Sequence, residues 1–87
     1  MFSMTIEDVF LIKNRGVVAT GRVESGTLRP GDEVSVNGGP TLRVDAIEAF
    51  RKKLTEATVG DNVGLVFTGI EKSRLDRGDV LSAPTVL

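Results

Sequence analysis

The chain has no cysteine, histidine, tryptophan or tyrosine, and four phenylalanines are its only aromatic residues. Without cysteine there is no disulfide framework and no thiol chemistry. With histidine missing too, the commonest metal ligands, nucleophile–base pairs and catalytic triads are absent. Charge excess is also lacking: 11 Lys and Arg stand against 12 Asp and Glu, for a formal net charge of −1. A dedicated nucleic-acid binder usually carries a basic excess, because phosphate neutralisation supplies much of the affinity. Any contact with nucleic acid is therefore expected to be local or shared with a partner. No apolar run approaches the ~20 residues of a membrane span. The opening Met1-Phe2-Ser3-Met4-Thr5 has neither a basic leader nor a sustained apolar stretch. The expected location is cytoplasmic, with no membrane partner. The pattern Gly-x-x-x-x-Gly-Lys-Ser/Thr does not occur, so the phosphate cradle needed for GTP hydrolysis is not encoded.

What is present is an ordinary globular composition, 40% hydrophobic and 26% charged, in 87 residues. That length bounds a single domain over 1–87, able to bury roughly 60–65% of its unfolded surface. Ten glycines are spread along the chain and separate short β-branched runs. This spacing predicts an all-β fold. Strands are expected at about 4–12, 17–25, 32–37, 41–50, 62–68 and 78–82. Leu28-Arg29-Pro30-Gly31-Asp32 reads as a turn, with proline presetting φ and glycine accepting a positive one. Asn37-Gly38 is a hairpin signal, lengthened by Gly39-Pro40. Residues 72–76 suit one helical or 3₁₀ turn.

Alternation assigns faces. Val17, Ala19, Gly21 and Val23 share one side of the second strand, and Val63, Leu65 and Phe67 one side of the fifth. These are the expected core faces. Val18, Thr20, Asn62 and Val66 fall on the opposite faces, where Val18 and Val66 are expected to be exposed. The first strand breaks parity: Met4 and Ile6 fit the core, then Val9 and Leu11. A β-bulge near Glu7-Asp8 repairs this, and bulges often re-aim side chains at functional surfaces. The fourth strand also breaks, since Leu42, Val44 and Ala46 alternate but Ile47 and Phe50 do not share a parity. An irregularity is expected near residues 46–48.

Two constellations invite a chemical reading. Asp8 and Glu48 are a carboxylate pair of the kind used in acid–base catalysis. A domain this small has little cleft in which to shift their pKa values, so they read better as surface groups or binding acceptors. No enzymatic activity and no cofactor are expected. The run Arg51-Lys52-Lys53 after Phe50 suits phosphate contact beside an apolar surface. Charge runs are more often a solvated strand end, and on the residues alone that is the preferred reading.

Several blocks now act together. They are Thr5-Ile6-Glu7-Asp8-Val9-Phe10, the stretch from Arg15-Gly16 through Val23-Glu24-Ser25-Gly26, Glu48-Ala49-Phe50-Arg51-Lys52, Gly60-Asp61-Asn62-Val63-Gly64, Gly69-Ile70 and Arg77-Gly78-Asp79-Val80-Leu81. In order and nearly in spacing, they resemble the second domain of elongation factor Tu. The resemblance spans almost the whole chain. The turn and strand blocks are similar to other translational GTPases as well, whereas the Glu-Ala-Phe-Arg-Lys block points to the elongation factor Tu branch.

The resemblance implies a six- to seven-stranded antiparallel Greek-key β-barrel that helps hold the acceptor end of aminoacyl-tRNA. For the terminal adenosine it implies Ile12, Val18 and Val66 as apolar contacts, Glu48 as acceptor for ribose or base, and Arg51 as a nearby cation. For the aminoacyl group it implies Glu7, Asp8, Phe10, Thr20 and Asn62. A carboxylate beside an α-ammonium group is favourable electrostatics, and Asn62 can both donate and accept. One departure is Lys13-Asn14, where the family often has Pro-Gly; Asn14 would crowd the adenosine pocket or add a polar contact. The loop at 37–41 also looks short. The nucleotide-binding and third domains are not in this sequence. The implied partners are thus an aminoacyl-tRNA acceptor end or ribosomal RNA, with other translation-factor domains acting in trans. The alternative is a protein-interaction barrel that has lost the tRNA role. Surfaces left bare in either case attract partners, and a two-fold homodimer is the commonest closed arrangement.

Overall fold

The computed structural model describes residues 1–84. It contains ten strands: β1 (Ser3–Ile12), β2 (Gly16–Ser25), β3 (Thr27–Leu28), β4 (Glu33–Val36), β5 (Thr41–Arg43), β6 (Ala46–Ala49), β7 (Lys52–Leu54), β8 (Ala57–Thr58), β9 (Asn62–Phe67) and β10 (Val80–Ser82). A single 3₁₀ turn covers Lys72–Arg74. Eight strands form one antiparallel sheet in the order β5-β4-β10-β1-β2-β9-β6-β7, and β3 pairs with β8. Among the described residues no helix is long and apolar enough to cross a membrane.

The sheet closes through its own chain. β5 pairs with β4, while β6 pairs with β9 at the other side of the sheet. Only residues 44–45 separate β5 from β6. Val44 donates its N–H to Asp32 and accepts from Gly31, and the Asp45 N–H turns the other way to the Val66 carbonyl. One kinked segment therefore serves both seams of a barrel. Taken with β5 and β6 as one, the staves are the six strands expected from sequence, with Greek-key connectivity. The break in the fourth strand lies at 44–45, not at 46–48 as the alternation suggested. β3, β7 and β8 are too short to show as periodic runs.

The core follows the expected parity with one exception. Val17, Ala19 and Val23 from β2, Val63, Leu65 and Phe67 from β9, and Met4, Ile6 and Val9 from β1 all join one buried cluster. Leu11, expected beside Val9, is instead 67% exposed, because it lies near the end of β1 where, among the described residues, the strand pairs with β2 alone. The register of β1 against β2 shifts between Ile6 and Asp8. This is the expected bulge, and it lets both Ile6 and Val9 point inward. The β3–β8 ribbon adds Leu28 and Ala57 to the same cluster.

Turns obey their chemistry. In 29–32 the Asp32 N–H donates to the Arg29 carbonyl at 3.0 Å, and Gly31 takes φ 95 as a type II turn requires. Lys13 and Asn14 are the central pair of the β1–β2 turn, closed by the Arg15 N–H on the Ile12 carbonyl at 3.0 Å. Asn14 carries φ 66 there, a conformation that asparagine tolerates better than most residues.

Candidate functional site

Cross-strand registers stack the outer-face residues of β1, β2, β9 and β6 into rows. One row runs Phe10, Val18, Val66, Ala46. The next runs Asp8, Thr20, Gly64, Glu48, Lys53. Beyond it Arg22 faces Asn62. The second row has a gap in its middle, because Gly64 has no side chain. An added Cβ there would sit 3.0 Å from Val18 Cγ1 and 3.9 Å from Thr20 Cγ2.

That gap is the floor of a depression of about 320 Å³ lined by Glu7, Thr20, Glu48, Phe50, Asn62 and Gly64, among others. Four of the expected site residues (Glu7, Thr20, Glu48 and Asn62) meet here. Glu7 reaches it through the bulge. Phe50 is the residue that sequence reasoning missed. It follows β6 in the turn joining β6 to β7 and is 92% exposed, with φ 51; its neighbour Arg51 has φ 65. Two successive left-handed residues across the Ala49–Lys52 pair match the type I′ hairpin turn, which normally recruits Asn-Gly. A bulky pair here costs on the order of 1–3 kcal/mol per residue. The one available signal was the parity break at Phe50.

Val18 and Val66 are not the exposed walls expected of them. Each is only 5% exposed, yet neither belongs to the interior cluster. They are covered from outside. Arg15, from the β1–β2 turn, makes an ion pair with Glu48 on β6, so its side chain spans β2 and β9. Phe10 and Ala46 flank the two valines in their own row. Alternation fixes which face a side chain takes, not what arches over it.

The remaining expected residues are dispersed. Ile12 and Asn14 line a separate depression of about 530 Å³ with Leu11, Arg15 and Thr68. Asp8 belongs to a third, of about 430 Å³, with Val9, Leu75 and Arg77. Its carboxylate accepts from the Val9 N–H at 3.0 Å and lies 3.8 Å from the Arg77 guanidinium. Phe10 is half-exposed beside Val18 and lines none of the three. Arg51 points into solvent at the hairpin tip, and Lys52 and Lys53 belong to the edge strand β7 rather than to a strand end. The adenosine group is therefore dispersed: Glu48 lines one depression, Ile12 and Asn14 another, and Val18, Arg51 and Val66 none of the three. The aminoacyl group keeps Glu7, Thr20 and Asn62 together and loses Asp8 and Phe10.

Chemically the depression offers two carboxylates, one amide, one hydroxyl and one aromatic ring. Among the described residues no group of three or more acidic side chains is placed to hold a metal ion. The set is suited to hydrogen bonding and to receiving a cation or a planar group. Residues 16–82 match the family described as Elongation factor Tu domain 2. The match covers β2 to β10 and all but Glu7 of the depression's lining, so the chain belongs to the elongation factor Tu domain 2 family and is a translation-factor-type β-barrel.

Proposed function

We propose that this domain is a binding module for the acceptor end of aminoacyl-tRNA, with no catalytic chemistry of its own. The observation that carries the reading is the meeting of Glu7, Thr20, Glu48 and Asn62 around one depression beside an exposed aromatic ring. An α-ammonium group would be received by the carboxylates and Asn62, and an apolar aminoacyl side chain by Phe50. The terminal ribose would compete with Arg15 for Glu48. Once Arg15 is displaced, Val18 and Val66 become the apolar floor for the base. Binding by this domain alone is expected to be weak, because the chain has no basic excess.

The test is an NMR titration of the chain with charged and uncharged tRNA. Shifts at Thr20, Glu48, Asn62 and Val66 that are larger with the charged form support the reading. Unperturbed spectra at millimolar ligand overturn it. Equal shifts with both forms leave the adenosine contact and remove the aminoacyl one.

A further inference from the structure

β1 has two unlike halves. Ser3–Thr5 is paired on both sides, with β10 and with β2. Ile6 exchanges backbone hydrogen bonds with Gly78 and Asp79. From Asp8 to Ile12 the strand pairs, among the described residues, with β2 alone, which leaves its other edge free of them. The direction of the free groups follows from the ladder. The Ile12 carbonyl accepts from Arg15, on the β2 side, and the 8–12 register is unbroken. Backbone groups alternate along a strand, so those of Val9 and Leu11 face outward. The Val9 N–H is met only by its neighbour's side chain, the Asp8 carboxylate at 3.0 Å.

Proteins usually blunt such edges with charge, above all lysine. The edge strand β7 does this with Lys52 and Lys53. The free half of β1 does the opposite: Val9-Phe10-Leu11-Ile12 carries no charge, and Phe10, Leu11 and Ile12 are 47%, 67% and 38% exposed. The flanks of the run are charged with opposite signs, Glu7 and Asp8 before it and Lys13 and Arg15 after it. Among the described residues neither Glu7 nor Lys13 has an ion-pair partner. An acidic–apolar–basic strand is its own complement when turned antiparallel. The depression between Asp8–Val9 and residues 72–77, about 430 Å³, gives room for an incoming strand at that end.

We propose that the free edge of β1, Val9 to Ile12, pairs antiparallel with the same edge of a second copy of this chain across a two-fold axis at Phe10, which sets Val9 opposite the second copy's Leu11 and Glu7 opposite its Lys13. The outward N–H and C=O groups of Val9 and Leu11 then complete a continuous sheet. The apolar side chains meet at the centre, and each acidic end faces the partner's basic end. The surface is on the side of β1 away from β2, so pairing leaves Thr20, Asn62 and Glu48 open. Glu7 alone is shared with the depression, and because association is read by mass without any tRNA, its outcome is independent of tRNA binding.

The test is the mass of the full chain in solution from micromolar to millimolar concentration. The expected result is a rise from 9.3 kDa towards twice that, with slowed exchange of the Leu11 amide as concentration rises. Glu7→Lys alone and Lys13→Glu alone are each expected to weaken association about tenfold by placing like charges together. An equimolar mixture of the two is expected to restore it as a heterodimer. Leu11→Pro removes an N–H that β2 does not use and is expected to leave a folded monomer. If that variant fails to fold, the mixing result decides. A monomer at millimolar concentration, or a dimer indifferent to both charge reversals, overturns the proposal.

Discussion

Asp45 ties the barrel seam to β9 through one oxygen. Its Oδ2 accepts from both the backbone N–H and the hydroxyl of Thr68, each at 2.8 Å. The Thr68 N–H chiefly holds the carboxyl below its ordinary value of 3.8; desolvation, next in size, opposes this, and the Thr68 hydroxyl and Arg43 assist. A carboxyl with a depressed folded-state pKa contributes stability above its unfolded value. That contribution is lost as pH falls through the folded value. Asp45→Asn is therefore expected to cost about 0.5–1 kcal/mol at pH 7, a modest figure because the group is exposed. In urea titrations the gap between the two proteins should close in strong acid. Gly64 is the second informative single residue. Gly64→Ala puts a methyl into the floor of the depression against Val18, with an expected cost of about 1–3 kcal/mol. Thermal melts would read that cost, and tRNA titration would read the loss of the proposed site. Which of these residues matter was only partly legible in the sequence. Val18 and Val66 were placed on the correct face by alternation, but their burial was not expected, and the Arg15–Glu48 ion pair formed across that face from a turn is something no periodic pattern encodes.

In the β6–β7 hairpin the proposed binding role and the stability of the fold pull in opposite directions. Phe50 and Arg51 occupy backbone positions that suit Asn and Gly, and the phenyl ring is almost fully in water. A ring held this way gains nothing for the fold. Replacing the pair by Phe50→Asn with Arg51→Gly is expected to stabilise the protein by about 1 kcal/mol, or roughly 4–8 °C in Tm. The same double substitution is expected to weaken ligand shifts at Thr20 and Asn62. Higher Tm with undiminished shifts would separate Phe50 from the site. At this scale the sequence served well for long strands and poorly for short ones. β1, β2 and β9 announced themselves by parity. β7 did not, because three residues dominated by lysine resemble a solvated end. The Lys13-Asn14 turn was legible as a departure in composition, and the backbone makes it conservative, since Asn14 adopts the positive φ.

As a whole the molecule is a small barrel whose interior draws on nearly every strand. Burial of this kind couples the strands, and one cooperative transition is expected in calorimetry, with an enthalpy of about 60 kcal/mol. Calorimetric and van't Hoff values should agree. A midpoint that climbs with protein concentration would register association, because a partner that binds only the folded state stabilises it by mass action. The all-β class and the six staves were readable from glycine spacing and alternation. Closure was not, because it depends on where a single strand changes neighbours, and a strand's neighbours leave no mark on its own periodicity. That change of neighbours at 44–45 makes the peptide bonds of the chain unequal in topological worth. Relocating the termini into the tip at 38–39 would leave every stave with both its companions, whereas relocating them between Val44 and Asp45 would release two seams at once and turn a cylinder into an unrolled ribbon.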